Sequence, residues 1–409
     1  MTVQATGSAA PRADDSALAA GDSTLRAGAS APSTGASAPS TGASAPSTGA
    51  SAPVLDVRNL TVSFATRAGI VSPVRDISFE VAPGQRVGLV GESGSGKSLT
   101  ALALMRLIHP PGRVTGQVFL GGRDVLRLEE RDLAKVRGGQ VAMVYQDPMS
   151  ALNPVQTIGD QIVEAIRIHA DLSAREARDR AAALLSDVGL QDPLRRMKSY
   201  PHEFSGGMRQ RVMIAMAMSA NPVLLIADEP TTALDVTTQA LVLETLSRLV
   251  AERGAAVILI THDLGVAAGF CDDIQVMYAG RIVERAAASR LFRNPIHPYA
   301  EALLRSICDL DADIGTDLPV IPGQPPLPSA LPSGCAFHPR CLYAIDVCRT
   351  VAPTQRSVAV GGAMAECHRT EERVAGTAVP SAGLGVAAVA SDVPTASSDV
   401  EASVSAAAR

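Results

Sequence analysis

The first residues with an evident chemical role form a glycine-rich segment, GESGSGKS, which fits the pattern G-x-x-x-x-G-K-S/T. Small residues let backbone N–H groups point at phosphate oxygens, and the start of the following helix adds positive partial charge. In this pattern Lys97 reaches the β- and γ-phosphates of a nucleotide and the Ser98 hydroxyl binds Mg²⁺. The residues predicted to contact the nucleotide here are Gly91, Ser93, Gly94, Ser95, Gly96, Lys97 and Ser98.

Two carboxylates at the end of an apolar run could complete such a site. The segment LLIADE ends in Asp228 and Glu229. An Asp-Glu pair alone is commonly a solvated strand end, but four apolar residues before it and a phosphate-binding loop upstream favour a catalytic role. Asp228 would then hold Mg²⁺ and Glu229 would polarise the attacking water.

A second glycine-rich turn opens another helix, predicted over residues 208–219. It contains Ser205, Gly206 and Gly207, and it creates a second helix N-terminus suited to an anion. One nucleotide does not need two such ends from one chain. We therefore expect the second end to bind the γ-phosphate of a nucleotide held by another subunit. The first glycine-rich loop does not by itself identify the class of protein, because kinases, GTPases and motors carry it too.

The order of these motifs resembles a known family. SGGMRQR shortly before LLIADEP is similar to the signature and Walker B strand of ATP-binding cassette (ABC) ATPases. Gln146 (in VYQDP) resembles the Q-loop glutamine, which contacts Mg²⁺ and the transmembrane partner. Asp235 (in TTALD) resembles the D-loop aspartate, and His262 (in ITHD) resembles the switch histidine that contacts the γ-phosphate. The resemblance implies an ATPase with Glu229, His262 and Gln146 as its catalytic residues.

Phe64 has two interpretations. It resembles the family aromatic that stacks on adenine, which would add it to the ATP-binding residues. Its position in an apolar strand also suits an ordinary core residue. The sequence leaves both open.

The elements that must position these residues alternate between strands and helices, which predicts an α/β fold. Residues 54–64 and 74–81 read as antiparallel strands, and residues 97–108 as a helix. Ser173 and Glu176 form a predicted capping box at the start of a charged helix. Val223–Asp228 and Ala256–Thr261 read as strands inside a parallel sheet. The resemblance adds a RecA-like core, an antiparallel β subdomain and a helical subdomain over about 147–222.

Composition indicates four regions. Residues 1–53 contain a GASAPST repeat and are predicted to be a disordered tail, as are residues 373–409. Residues 54–290 carry the ABC ATPase motifs. Residues 291–372 are Pro-rich and contain cysteines, and we expect a separate small domain there.

This third region narrows the resemblance. NPIHPY followed by IPG and GCAFHPRC is similar to the C-terminal domain of ATPase subunits in the peptide and nickel importer branch. That likeness implies import, with peptides favoured over nickel or another solute. It also implies two transmembrane permease subunits, a homologous second ATPase, and an extracytoplasmic binding protein that acts indirectly.

Four cysteines lie in this region, namely Cys335, Cys341, Cys348 and Cys367. Their spacing lacks the close pairs of zinc ribbons. In this branch the pattern resembles a 4Fe–4S site, which these four thiolates would ligate. Zinc or another metal, and unligated or disulfide-linked thiols, stay open as alternatives.

Composition excludes several classes. A net charge of −5 argues against a nucleic-acid partner. No apolar stretch is long enough to span a bilayer, and the N-terminus lacks the pattern of a secretory signal. We expect a peripheral protein at the cytoplasmic face of the bacterial inner membrane. The alternatives are a soluble ABC ATPase in translation or DNA repair and a small-molecule kinase.

Overall fold

Strands and helices alternate along the chain, as the apolar pattern predicts. The computed structural model describes residues 52–67, 69–307, 320–358 and 362–380. Nearly all of the predicted N-terminal tail, most of the predicted C-terminal tail and Cys308 lie outside these ranges. The strands are β1 (Leu55–Thr66), β2 (Gly69–Val81), β3 (Arg86–Val90), β4 (Gly112–Leu120), β5 (Arg123–Asp124), β6 (Val141–Val144), β7 (Leu224–Asp228), β8 (Ala256–Thr261), β9 (Asp273–Tyr278), β10 (Arg281–Ala287), β11 (Arg356–Ser357) and β12 (Met364–Ala365).

The helices fall mainly between β6 and β9 and after β10. They are α1 (Lys97–Leu104), α2 (Glu130–Val136), α3 (Pro148–Ala151), α4 (Ile158–His169), α5 (Ala174–Asp187), α6 (Pro193–Arg196), α7 (Gly206–Ala217), α8 (Val236–Arg253), α9 (Leu264–Phe270), α10 (Ala288–Arg293), α11 (Pro298–Arg305), α12 (Val347–Thr350) and α13 (Thr370–Val374). Short 3-10 helices occupy Val125–Arg127, Pro201–Glu203 and His338–Arg340. The fold is therefore α/β, as predicted.

The larger sheet of the described residues has the strand order β11-β12-β10-β9-β3-β8-β7-β6. Strands β9, β3, β8, β7 and β6 pair in parallel. Alternate residues of β7 enter different hydrophobic clusters: Leu225 and Ala227 face one, Leu224 and Ile226 the other. Because apolar side chains cover both faces, this strand is a continuous apolar run rather than an alternating one.

The parallel pairing determines where the motifs meet. β3, β8 and β7 are neighbours, and each runs in the same direction. The phosphate-binding loop follows β3, Glu229 follows β7 and His262 follows β8. Ligands in open α/β sheets bind at the carboxyl ends of the strands, so these three segments share the expected edge.

The smaller sheet is antiparallel, with the strand order β2-β1-β4-β5. Strands β1 and β2 confirm the predicted antiparallel pair. Between β6 and β7 lie the helices α3 to α7, where the helical subdomain was expected. The capping box of α5 is present, with Ser173 and Glu176 each bonded to the other's backbone N–H.

Helix α1 is shorter than predicted. It ends at Leu104, because Arg106 adopts a left-handed backbone with φ 52°. A left-handed residue cannot continue a right-handed helix. Apolar residues continue on both sides of Arg106 up to residue 108, so the sequence gives no sign of this break.

The C-terminal region, where we expect a small domain, packs against the cassette, and its domain boundaries stay a prediction. Strand β12 pairs with β10 and so extends the larger sheet. Phe337 and Cys341 belong to the same hydrophobic cluster as β7 and α7. A short Pro-rich segment buries little by itself, and the open edge of β10 offers a surface to cover. The predicted boundary at 372/373 also falls inside α13, where Arg373 contacts Glu301 of α11.

Candidate active site

The loop after β3 has a backbone that requires glycine at its start. Gly91 has φ 150°, and a Cβ there would lie 2.2 Å from the carbonyl oxygen of Met277. Strand β9 therefore packs directly against the loop and leaves no room for a side chain. This contact explains why the first glycine is needed for the turn as well as for the ligand.

Lys97 and Ser95 provide polar groups inside this loop. Lys97 is only 5% exposed, and its Nζ donates hydrogen bonds to the carbonyl oxygens of Gly91 (2.7 Å) and Glu92 (3.0 Å). Burial lowers the pKa of Lys97, and the nearby carboxylates of Glu229, Asp228 and Glu92 oppose that shift. The Ser95 hydroxyl is buried without a hydrogen-bond partner among the described residues. A buried ammonium beside an unpaired hydroxyl fits the oxygens of a phosphate chain.

Ser98 and Asp228 meet at the start of α1. The Ser98 hydroxyl donates to Asp228 Oδ1 at 3.0 Å. Burial raises the pKa of Asp228, while the hydrogen bond from Ser98 lowers it. A hydroxyl and a carboxylate side by side are the oxygen donors that Mg²⁺ prefers, so the two predicted Mg²⁺ ligands fit that ion.

Two of the three predicted catalytic side chains, Gln146 and His262, converge on the third, the carboxylate of Glu229. Gln146 Nε2 donates to Glu229 Oε2 at 3.0 Å, and Thr232 Oγ1 donates to the same oxygen at 2.9 Å. His262 Nδ1 lies 3.2 Å from Glu229 Oε1. Glu229 is thus held from both of its oxygens. His262 remains 60% exposed, which leaves it free to face a ligand.

Glu229 also has an unusual backbone. Its φ is 46°, in the left-handed region, and its N–H donates to the Ile260 carbonyl at 2.9 Å. Such a conformation costs a non-glycine residue about 1–3 kcal/mol, and it is concentrated at functional sites. The turn lets the carboxylate reach Gln146 and His262 directly after β7 ends.

The second glycine-rich turn lies against the D-loop. Ser205 caps α7 and accepts a hydrogen bond from the Met208 N–H. A Cβ at Gly207 would lie 2.1 Å from the Thr238 methyl carbon, and Gly206 faces Leu234. Asp235, in turn, caps α8 by accepting from the N–H and hydroxyl of Thr238.

The structure therefore brings the predicted site residues together in two groups. One contains the phosphate-binding loop with Gln146, Asp228, Glu229 and His262. The other contains the signature turn and Asp235.

Phe64 is half-buried in β1, opposite Gly112 of β4. Its ring lies so close to Gly112 that a Cβ there would be 2.8 Å from Phe64 Cε1. This packing agrees with the interpretation as a core residue. Stacking on adenine stays a prediction.

The four C-terminal cysteines are close but not converged. All are free; Cys335 is partly buried and Cys341, Cys348 and Cys367 are buried. Burial raises the pKa of Cys335 to about 11 and of Cys341 to about 12, and the neighbouring thiols add to both shifts. No group of three or more Cys, His, Asp or Glu within the described ranges is arranged to hold a metal ion. The donor types suit a cluster, but their arrangement does not support the predicted one.

Sequence reasoning missed one contact of the phosphate-binding loop. Arg340 pairs with Glu92, although 248 residues separate them. Neither residue stands in a pattern that points to the other, because Glu92 occupies a variable position of the loop motif. Only the fold of the C-terminal segment onto the sheet brings them together.

The fold and this site define an ATP-binding cassette. The family model described as "ABC transporter" matches residues 74–232, and "Oligopeptide/dipeptide transporter, C-terminal region" matches residues 283–348. The oligopeptide transport ATP-binding protein OppD of Salmonella typhimurium is 48% identical over 302 residues, which is 74% of this chain and 90% of the relative. A putative peptide import ATP-binding protein of Brucella abortus is 50% identical over 315 residues, 77% of this chain and 94% of the relative.

Among solved structures, the chain resembles the dimeric, post-hydrolysis ATP-binding cassette MJ0796 bound to ADP and Pi. The TM-score is 0.52 at 28% identity, over 57% of this chain and 98% of that one. The chain belongs to the ABC transporter ATP-binding proteins, in the branch that carries the oligopeptide/dipeptide C-terminal region. It is an ATPase subunit whose hydrolysis is coupled to transport.

Proposed function

We propose that this ATPase subunit powers the import of peptides through a bacterial membrane transporter. The observation that carries the proposal is the match of residues 283–348 to the oligopeptide/dipeptide C-terminal region. Relatives that share about half of their residues with this chain are named as peptide importers, which supports the same solute class here.

The site residues divide the work of hydrolysis among them. Lys97 and the backbone N–H groups of the loop bind the β- and γ-phosphates. Mg²⁺, held by Ser98, Asp228 and Gln146, would neutralise charge that develops on the phosphate oxygens. Glu229 orients the attacking water and accepts its proton, and His262 contacts the γ-phosphate. The contacts of Glu229 with Gln146 and His262 support this assignment.

The signature turn acts on the nucleotide of a partner subunit. Gly206 lies against Leu234 of the D-loop and Gly207 against Thr238 of α8, which supports a surface distinct from the Lys97 group. The related MJ0796 cassette is dimeric, which supports a head-to-tail pair in this protein. We expect the partner to be a homologous second ATPase.

This ATPase pair would work on two permease subunits at the cytoplasmic face of the inner membrane, supplied with solute by an extracytoplasmic binding protein. The helices of the described residues are all too short or too polar to cross a bilayer. A peripheral subunit fits this finding. No nucleic-acid partner is part of the proposal.

Reconstitution tests the proposal directly. The subunit, its homologous ATPase and the two permeases are placed in lipid vesicles, with binding protein and either labelled peptide or labelled nickel on the binding-protein side. We expect ATP-dependent accumulation of peptide, lost when Glu229 is replaced by Gln. Accumulation of nickel alone would overturn the solute class, and full activity without permeases would favour a soluble ABC ATPase.

The finer proposal for the four cysteines is a 4Fe–4S cluster. The donor type of the four thiols supports it, as do hydrogen bonds from the backbone N–H groups of Tyr343 and Arg369 to the sulfurs of Cys341 and Cys367. Ligation would require the side chains to draw together. Protein purified without oxygen should absorb broadly near 400 nm and contain about four iron and four sulfide per chain. Colourless protein with stoichiometric zinc would show that the four thiols bind zinc rather than iron. Metal-free protein of unchanged stability would overturn the metal site altogether.

A further inference from the structure

The C-terminal segment reaches the phosphate-binding loop through one buried ion pair. The Arg340 guanidinium donates two hydrogen bonds to the Glu92 carboxylate, at 2.7 and 2.9 Å. The Arg340 side chain is 4% exposed and that of Glu92 is 25% exposed. Two parallel N–H···O bonds constrain direction as well as distance, so this pair fixes the orientation of the Glu92 side chain.

Arg340 is itself held in place from several sides. Its Nε donates to the Pro322 carbonyl at 2.8 Å, and its Nη1 lies 3.4 Å from the Tyr278 hydroxyl. The rings of Tyr278 and Phe337 are each 5.9 Å from the guanidinium carbon. Arg340 is therefore a fixed point rather than a side chain that follows Glu92.

The backbone of Glu92 is hydrogen-bonded to other residues of the site, so the position of Glu92 affects them. Its N–H donates to the Tyr299 hydroxyl at 2.8 Å. Its carbonyl accepts from Lys97 Nζ at 3.0 Å and from the Ser95 N–H at 3.2 Å. A displacement of Glu92 would consequently disturb both the lysine and the serine that line the phosphate site.

The charge of Arg340 affects ATP binding in a second way. Glu92 places a carboxylate in a loop that must accept a highly anionic triphosphate. Arg340 neutralises that carboxylate at close range, where the protein screens charge less than water does. Without the arginine, the carboxylate would repel the phosphates and would lose its hydrogen-bond donors.

We propose that Arg340 is a positioning residue for ATP binding, which holds Glu92, and with it Lys97, in place and cancels the carboxylate charge beside the phosphates. The C-terminal segment is then a structural part of the ATP site. This inference depends on ATP binding by the cassette and is independent of which solute is transported.

The test compares two arginines of the C-terminal segment, Arg340, which is buried, and Arg373, which is partly buried. Arg340→Met removes the contact with the loop. Arg373→Met is the matched control: Arg373 also donates its Nε to a carbonyl, pairs with a carboxylate (Glu301) and lies over an aromatic ring, but these partners lie outside the loop. The dissociation constant of a fluorescent ATP analogue and the melting temperature are measured for each full-length variant.

We expect both variants to lose thermal stability. Arg340→Met should bind the analogue about tenfold more weakly, within the usual range for coupling between sites, while Arg373→Met stays within about twofold of the unmodified protein. In the ATPase assay the loss should appear in KM rather than in kcat. Arg340→Met/Glu92→Gln should recover most of the affinity, because the uncompensated carboxylate is gone.

A conservative variant keeps the test valid if Arg340→Met folds poorly. Arg340→Lys retains the charge but not the two-bond geometry, and it should fall between the unmodified protein and Arg340→Met. Equal weakening by Arg373→Met would show that general loosening of the segment is responsible and would overturn the proposal. Unchanged affinity in Arg340→Met and Arg340→Lys would overturn it as well. Failure of the unmodified protein to bind the analogue would instead point to the cassette itself.

Discussion

The nucleotide site is assembled from residues far apart in the chain, whereas the cysteines of the C-terminal segment all lie between Cys335 and Cys367. The two regions differ in how closely their functional groups meet. In the nucleotide site Gln146 and His262 each contact Glu229 directly. In the cysteine segment the thiols are neighbours, yet they form no group arranged to hold a metal ion among the described residues. That segment does form an ion pair with the nucleotide site, between Arg340 and Glu92.

The difference follows from what supports each region. Parallel strands place the ends of β3, β7 and β8 at one edge, so their loops must meet. Cys348 lies in the four-residue helix α12 and the other three cysteines lie in irregular chain. The segment is joined to the rest by the short strand β12, aromatic packing and ion pairs. A regular sheet specifies positions more closely than such a segment does. The segment in turn depends on the cassette for its fold.

The largest effect is expected at the catalytic carboxylate. Glu229→Gln should slow ATP turnover by about 10²–10⁴-fold, the usual contribution of a general base, while ATP binding is retained. The amide keeps the shape of the side chain but accepts no proton. Steady-state turnover and nucleotide affinity, measured on the same preparation, separate the two. Turnover within about threefold of the unmodified protein would show that Glu229 is not the general base.

The second prediction concerns the division of the site residues into two groups. In a mixed complex with the partner ATPase, Ser205→Arg in this chain should impair hydrolysis at the site whose phosphate-binding loop belongs to the partner. The bulky cation would block the helix N-terminus that faces that nucleotide. Site-specific hydrolysis can be read by inactivating one loop at a time. Loss only at the site that contains Lys97 would contradict the head-to-tail arrangement.

The third prediction tests whether the cysteine segment is energetically separate from the nucleotide site. Cys341 follows Arg340 and is 7% exposed, so Cys341→Ser should loosen the arginine and weaken ATP binding by about twofold to fivefold. Cys271→Ser is the control, because Cys271 is equally buried but lies beneath β3, against Gly88. Equilibrium binding of an ATP analogue to both variants gives the comparison. Unchanged affinity in Cys341→Ser would indicate two independent regions, as the sequence predicts.

The smallest expected effect is a change of stability with pH, where His297 at the start of α11 lies close to Glu284 of β10. Complete burial lowers the pKa of His297 to about 3, so its contribution to stability is lost as the pH falls below about 6.5. Burial raises the pKa of Glu284 to about 7, so folding takes up a proton there and stability is gained as the pH falls from about 7 to about 4.5. The two effects nearly cancel between these limits.

Single substitutions should reveal the two opposing contributions. His297→Asn retains an acceptor at the start of α11, and its free energy of unfolding should rise by about 1 kcal/mol per unit as the pH falls from 7 to 5. Glu284→Gln should show the opposite slope below pH 6.5. Denaturant unfolding at several pH values measures both. Parallel slopes in the two variants would show that these groups do not titrate as a compensating pair.

The sequence by itself determined the family and the α/β fold, and it predicted the residues of the ATP site. The reason is that each motif joins its chemistry to the element that carries it: GESGSGKS stands between a strand and a helix, and Asp228 and Glu229 end a buried strand. Local patterns of this kind need no knowledge of distant contacts. They predicted the residues that meet around Glu229 without predicting their distances.

Only the tertiary structure decided where the C-terminal segment packs. Composition indicated a separate domain, but the open edge of β10 and the hydrophobic cluster around Phe337 draw the segment onto the sheet. This contact places Arg340 beside Glu92, a pairing between residues that no motif links. Packing across 248 residues depends on shape and on desolvated charge, which become specific only when the whole sheet is formed.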